Sequence, residues 1–146
     1  MKLKVAWIGK SKDAAIQSLT AEYLKRLQRY GEVEALELRD EAALLRHAQK
    51  RGGRACNLIL LDSRGKQLSS DELAKFLDEQ MTRNPLPMLV AVGGADGFTA
   101  ETRKSASFVL SLGRMTLPHD LARVVLLEQL YRACTILQGH PYHLAH

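Results

Sequence analysis

The sequence predicts an α/β domain built around a largely parallel sheet of about five strands. Two observations predict this class. Apolar segments of strand length alternate along the chain with longer segments of helical periodicity. The two most apolar segments, residues 55–61 and 86–92, are continuous runs, which is typical of parallel strands covered on both faces. No repeat or long linker interrupts the alternation, so residues 1–146 are predicted to form a single domain.

The first third of the chain begins with a strand and a helix. Residues 2–8 alternate charged and apolar side chains, as a half-buried strand does, and Gly9 ends them. Helical periodicity follows from Ser11 to Gly31. The residues that we expect on the buried face of this helix are Ile16, Leu19, Tyr23, Leu24 and Leu27. Residues 32–39 are a candidate for the second strand.

Three helix caps organise the elements that follow. Asp40 caps a short helix that ends at a Gly-Gly pair, Ser69 and Glu72 form a capping box, and Thr99 caps a third helix. The apolar strand before the capping box is predicted to lead into a loop at residues 62–66, where the residue types are those of turns.

A glycine-rich turn follows the central strand at residues 86–92. Gly93, Gly94 and Gly97 lie in this turn, and glycine allows the backbone to approach a ligand closely. In open α/β sheets ligands bind at the carboxyl ends of the strands. We therefore expect a ligand site at this turn, with the loop at residues 111–119 closing over it.

The last predicted strand, residues 108–112, precedes a final helix from His119 or Asp120 to about Gln138. This helix is apolar around more than one stripe, because it carries Leu121, Val124, Val125, Leu126, Leu127, Leu130, Ile136 and Leu137. A single sheet face does not cover such a helix. We expect it either to be deeply buried or, as the favoured alternative, to meet a second copy of the chain in a homodimer.

The positive charge of the chain is concentrated in its first half. Residues 1–66 contain 14 Lys or Arg and 8 Asp or Glu, whereas residues 67–146 contain 7 and 8. This asymmetry favours a polyanionic partner, although a solvated surface that keeps the protein soluble gives the same pattern.

Composition excludes several classes of protein. The apolar runs are too short to span a bilayer, and the N-terminus does not resemble a signal peptide. Cys56 and Cys134 lie in apolar stretches without metal-like spacing, so we expect reduced thiols in a cytoplasmic protein, with a disulfide as the alternative. His140, His143 and His146 lack clustered Cys or carboxylate partners, so no metal site is predicted.

The sequence does not contain the motifs of several other enzyme classes. The segment VGGADG is not the dinucleotide-binding pattern, and it follows a late strand instead of the first. The phosphate-binding P-loop and the G-x-S-x-G nucleophile pattern do not occur.

Five motifs in a fixed order resemble one known family. They are LLDSRGK at residues 60–66, VGGADGF at 92–98, SLGRMTLPHDLAR at 111–123, LYRA at 130–133 and HPYH at 140–143. Together they resemble the RlmH family, SPOUT-class methyltransferases of the bacterial large ribosomal subunit. The resemblance covers the full length and is most specific in the C-terminal half. One departure is Leu144, where the family often has a basic residue after HPYH.

The resemblance implies a fold, a reaction and a partner. The fold would be a homodimer whose C-terminal half forms a trefoil knot that binds S-adenosylmethionine. The reaction would methylate N3 of a pseudouridine in 23S rRNA on assembled ribosomes. Periodicity and spacing do not predict a knot, and the general rule against threaded connections argues against one.

The resemblance also implies site residues. The cofactor positions are Leu61, Gly93, Leu112, Gly113, Arg114, Met115, Thr116 and Leu117. Leucine and methionine side chains suit an apolar adenine slot, but each leucine is equally consistent with a plain core position. Arg114 is expected to contribute its backbone more than its side chain.

Catalytic candidates lie near the end of the chain. Loss of the imide proton suits a neutral His as base, and the candidates are His119, His140 and His143. Tyr142 would contact the base, and Arg123 or Arg132 would hold phosphate. Simpler explanations are a local cap for His119 and an exposed helix position for Arg132.

The sequence leaves three functional classes open. They are an rRNA methyltransferase, which the resemblance favours, a non-catalytic RNA-binding protein, and an α/β enzyme acting on a small nucleotide. Cofactor binding separates the first class from the second. A requirement for ribosomal particles separates the first from the third.

Overall fold

The computed structural model describes residues 1–144. Ala145 and His146, the third histidine of the tail, lie outside the described residues. In chain order the elements are β1 (Lys2–Ile8), α1 (Ala14–Leu27), a 3₁₀ turn (Gln28–Tyr30), β2 (Glu32–Leu38), α2 (Glu41–Ala48), β3 (Gln49–Lys50), β4 (Gly53–Arg54), β5 (Asn57–Gln67), α3 (Ser70–Arg83), β6 (Met88–Val92), α4 (Ala100–Ser105), β7 (Phe108–Ser111) and α5 (His119–Leu137).

Five strands form the central sheet in the order β2-β1-β6-β5-β7, and every neighbouring pair is parallel. The predicted α/β class with a largely parallel five-stranded sheet is confirmed. Because all strands run the same way, the carboxyl ends of β5, β6 and β7 lie along one edge. Leu61 of β5 pairs with Val92 of β6 on one side and with Leu110 of β7 on the other.

Helices cover both faces of this sheet. On β6 the side chains alternate, with Val90 and Val92 in one core and Leu89 and Ala91 in the other. The first core is closed by α1, α3 and α5. The second is closed by α2 and Phe98. Burial on both faces explains why residues 55–61 and 86–92 are continuous apolar runs.

The predicted helix caps are confirmed. Asp40 accepts the backbone N–H of Ala43, Thr99 accepts that of Thr102, and Ser69 forms the complete capping box. The first helix differs from the prediction, because Asp13 caps it and Ala14 begins it. The expectation that Leu19 is buried is wrong. Leu19 is 44% exposed, since the inward face of α1 passes through Ile16, Thr20 and Leu27 instead.

The segment predicted as a loop at residues 62–66 is only partly a loop. Leu61 and Lys66 both pair with Leu110, so residues 62–65 are displaced outward from the ladder. Lys66 then returns to the ladder, and β5 ends at Gln67. The strand therefore has a four-residue bulge beside the carboxyl ends of its neighbours.

A small hairpin replaces the predicted Gly-Gly helix end. The helix stops at Ala48, and Gln49 and Lys50 pair antiparallel with Arg54 and Gly53. Gly52 has φ +87°, a conformation that other residues rarely adopt and that this tight turn requires.

The final helix is mostly buried within the chain. It packs against both α1 and α3, which covers more than one of its apolar stripes. Leu121 and Leu137 stay exposed, at 40% and 36%. Cys56 and Cys134 are buried free thiols, as predicted, and burial raises the pKa of Cys134 to about 11. None of the helices in residues 1–144 is both long and apolar enough to cross a membrane.

Candidate active site

A cavity of about 260 Å³ lies at the carboxyl ends of β5, β6 and β7. This is the edge of a parallel sheet at which ligands bind. The bulge at residues 62–65, the glycine-rich turn and the loop before α5 form its walls. The predicted cofactor residues that line it are Leu61, Gly93, Leu112, Gly113, Met115, Thr116 and Leu117. Arg114 lies in the same loop but is exposed and does not line the cavity.

The glycine-rich turn is compact. The Gly97 N–H donates to the Gly94 carbonyl at 3.0 Å, and Gly97 has φ +72°. A Cβ atom at Gly93 would lie 3.2 Å from both the Phe98 ring and the Gly97 carbonyl carbon. Gly93 is buried, so the packing of the turn requires a residue without a side chain at this position. The main chain of the turn can therefore form the cavity wall directly.

The loop before α5 is fixed by Ser111. Its hydroxyl donates to the Gly113 carbonyl at 2.9 Å and accepts the Gly113 N–H at 3.2 Å. Gly113 has φ +148°, which disfavours any side chain there. Met115 is 87% exposed, whereas Leu112 and Leu117 are half-buried. The Ser111 contacts thus fix the loop in a conformation in which Leu112 and Leu117 line the cavity.

Among the catalytic candidates, His119 lines the cavity. It is the first residue of α5 and is half-buried. Arg123, one turn later, points to the end of β1 instead. Its guanidinium carbon lies 4.5 Å from the centre of the Trp7 ring, and its Nη2 donates to the Gly9 carbonyl at 3.4 Å. Burial lowers the pKa of Arg123, which is only 4% exposed.

The tail packs along the far part of α5. The Tyr142 hydroxyl donates to Glu128 at 3.1 Å, and its ring meets Tyr131 edge to face with centroids 4.9 Å apart. His143 Nδ1 lies 3.0 Å from Arg132 Nη1. Burial raises the pKa of Tyr142 to about 12, so its phenol stays protonated at neutral pH. A protonated phenol whose hydrogen is donated to Glu128 is a poor general base.

The tail is remote from the cavity. Glu128 and Arg132 follow His119 by nine and thirteen residues on α5, which is about 14 to 20 Å along a helix. His140 lies nearer the tail contacts, where its Nδ1 accepts the Tyr142 N–H at 3.2 Å. Within residues 1–144, none of the HPYH residues lines the cavity.

The family described as "Predicted SPOUT methyltransferase" matches residues 1–143. The chain belongs to the SPOUT methyltransferase family. A relative from Koribacter versatilis (strain Ellin345), named "Ribosomal RNA large subunit methyltransferase H", is 57% identical over 146 residues and is covered completely, as is this chain. A relative of the same name from Geobacter sp. (strain M21) is 41% identical and matches 98% of this chain and 99% of its own. These relatives agree with the RlmH resemblance of the motifs.

Solved structures share the SPOUT methyltransferase fold at low identity. A probable methylase family protein from Haemophilus influenzae Rd KW20 superimposes with a TM-score of 0.58 at 14% identity, over 96% of this chain and 69% of that one. The SpoU methyltransferase AviRb from Streptomyces viridochromogenes, in complex with the cofactor AdoMet, superimposes with a TM-score of 0.52 at 13% identity. The match covers 95% of this chain and 59% of that one.

The structure of this SPOUT methyltransferase adds cavity residues that the sequence motifs do not single out. Asp62, Ser63 and Arg64 line the cavity from the bulge in β5, and Asp96 lines it from the glycine-rich turn. In the sequence, the first three directly follow the apolar run at residues 55–61, and Asp96 lies in the turn that follows the run at residues 86–92. This placement was the available indication that they belong to the site. No group of three or more His, Cys, Asp or Glu within residues 1–144 is arranged to hold a metal ion.

Proposed function

We propose that the protein is an S-adenosylmethionine-dependent methyltransferase of large-subunit rRNA that acts in the cytoplasm as a homodimer. Its target would be N3 of a pseudouridine in 23S rRNA on assembled ribosomes. The observation that carries this proposal is the cavity at the ends of three parallel strands, formed by the same segments that carry the RlmH resemblance. The names of the full-length relatives support the rRNA substrate.

The cavity fits the proposed cofactor. Leu61, Leu112 and Leu117 supply apolar surface for a flat ring, and the loop that carries Leu112 and Leu117 is held in place by Ser111. Gly93 lets the main chain of the turn approach the ligand. S-adenosylmethionine supplies an electrophilic methyl group on a sulfonium. The protein contributes positioning, because methyl transfer needs a nucleophile aligned at contact distance.

His119 is the best-placed proton acceptor in the described protomer. The imide N3 must lose its proton, and histidine accepts protons readily near neutral pH. His119 lies on the cavity wall at the start of α5, so a base entering the cavity would meet its ring.

The HPYH segment would act on the cavity of the other subunit. Its separation from the cavity of its own protomer supports this arrangement. Exposed apolar side chains also support a dimer, because Met115 lies beside the cavity, Leu121 on α5 and Leu19 on α1. In the second subunit's cavity, Tyr142 would contact the target base.

The basic first half would bind rRNA phosphates. Arg29, Lys50 and Arg51 are exposed and form no ion pair within residues 1–144. Arg26 is less available, because it pairs with Glu22 at 2.9 Å and lies over the Tyr23 and Tyr131 rings. Phosphate contacts position RNA without selecting the base, which leaves selection to the cavity and tail.

Two measurements test the proposed function. Calorimetric titration with S-adenosylmethionine should give saturable binding. Labelled cofactor should then transfer its methyl group to ribosomes that lack the modification, at one pseudouridine. Absence of cofactor binding would leave a non-catalytic RNA-binding protein. Methylation of free nucleotides in preference to ribosomes would favour a small-nucleotide enzyme.

A further inference from the structure

Asp62 carries an unpartnered carboxylate oxygen at the wall of the cavity. The side chain follows Leu61 at the start of the β5 bulge and is only 2% exposed. Its Oδ1 accepts the Arg64 N–H at 2.9 Å, and the Arg64 guanidinium lies 3.7 Å from the same oxygen. Its Oδ2 is buried and receives no hydrogen bond within residues 1–144.

Such an oxygen is unfavourable in the folded chain unless something donates to it. A carboxylate removed from water loses its hydration, and buried polar atoms therefore almost always have a partner. The bond from the Arg64 N–H holds the Asp62 carboxylate in place, so the fold keeps Oδ2 oriented without satisfying it. Oδ2 is therefore a fixed hydrogen-bond acceptor without a donor in residues 1–144.

The charges around the cavity favour a cationic donor. Asp62, Asp96 and Arg64 all line the cavity, so two carboxylates face one guanidinium, and the Arg64 side chain is 63% exposed. A carboxylate removed from water interacts more strongly with a nearby positive charge than an exposed carboxylate does. A Cβ atom at Gly97 would lie 3.4 Å from Oδ2, so this oxygen lies directly beneath the glycine-rich turn.

We propose that Oδ2 of Asp62 accepts a hydrogen bond from the α-ammonium group of bound S-adenosylmethionine. This inference rests on the proposed function. The sulfonium of the cofactor is positive but has no hydrogen to donate, and a ribose hydroxyl donates without positive charge. The ammonium group alone combines the donor that Oδ2 lacks with the charge that the cavity favours.

The first test uses Asp62→Asn, which keeps an oxygen for the Arg64 N–H and removes the negative charge. Calorimetry should show affinity for S-adenosylmethionine and S-adenosylhomocysteine falling equally, by about tenfold to a hundredfold. Affinity for an S-adenosylhomocysteine analogue without the α-amino group should not change. Asp78→Asn, on an exposed residue of α3, makes the same charge change away from the cavity and should not alter any of the three affinities.

A second measurement needs only the wild-type protein. The analogue without the amino group should bind more weakly than S-adenosylhomocysteine, by the same factor that Asp62→Asn produces. Equal affinity of wild type for these two ligands would overturn the proposal even if the variant did not fold. An equal loss for all three ligands in Asp62→Asn would also overturn it, since Asp62 would then shape the cavity or hold the nucleoside. If the wild-type protein bound none of them, the proposed function itself would fail.

Discussion

Gly65 lies in the β5 bulge, where its backbone packs directly on β7. A Cβ atom at this position would lie 2.6 Å from the carbonyl carbon and oxygen of Val109 and 2.7 Å from the carbonyl carbon of Leu110. These contacts are with backbone, which cannot move aside without separating the two strands. The sequence suggested a turn residue here, whereas the structural requirement is close approach of two main chains.

The substitution Gly65→Ala should therefore destabilise the protein. We expect the free energy of unfolding to fall by about 1–3 kcal/mol, as for an overpacked core. Urea unfolding measures this change. Gly53→Ala is the matched control, because a Cβ at Gly53 meets nothing within 4 Å, and its stability should stay close to that of wild type. Equal stability of the two variants would show that β7 adapts without cost.

Single residues of the site could be predicted to different extents. Leu61, Gly93 and the loop at residues 112–117 could be found because they belong to motifs, and these positions except Arg114 line the cavity. Asp62 also lies inside such a motif, but the motif alone does not mark it as a site residue. Its burial depends on the bulge and on a turn more than thirty residues later, and local sequence does not encode that contact.

At the scale of elements, the sequence pattern predicted the five strands of the central sheet and the main helices. It could not predict the hairpin of β3 and β4, because two-residue strands are too short to show a period. It also missed the return of Lys66 to the ladder, which depends on pairing with β7 more than forty residues later. Boundaries set by tertiary contacts are therefore the part that the sequence did not reveal.

The exposed flank of α5 gives a test of the proposed dimer interface. Leu121→Asp should leave the protomer folded and yield monomers, because a charge would be buried without a partner in the proposed interface. Light scattering measures the mass, and circular dichroism checks the fold. Val124→Asp is the comparison, since Val124 is 7% exposed within the protomer and should unfold it. A wild-type protein that is monomeric at micromolar concentration would contradict the interface.

At the scale of the whole molecule, the proposed reaction needs groups that one protomer keeps apart. The cavity and His119 lie at the start of α5, whereas Tyr142 and His143 pack near Glu128 and Arg132. The helix between them is continuous from His119 to Leu137, so a tail cannot reach its own cavity while it keeps these contacts. A second subunit resolves this separation if its tail lies over the first subunit's cavity.

Subunit complementation tests this arrangement directly. One variant, Gly113→Val, should lose cofactor binding, because φ of +148° is strained for a β-branched residue, but it keeps its tail. The other lacks residues 140–146 and keeps its cavity. Each homodimer should be inactive in methyl incorporation into ribosomes. Mixed dimers should recover about a quarter of wild-type activity, since half of the dimers would hold one complete site. Distinct affinity tags verify subunit exchange. If exchange occurs and the mixture stays inactive, the tail does not serve the partner's cavity.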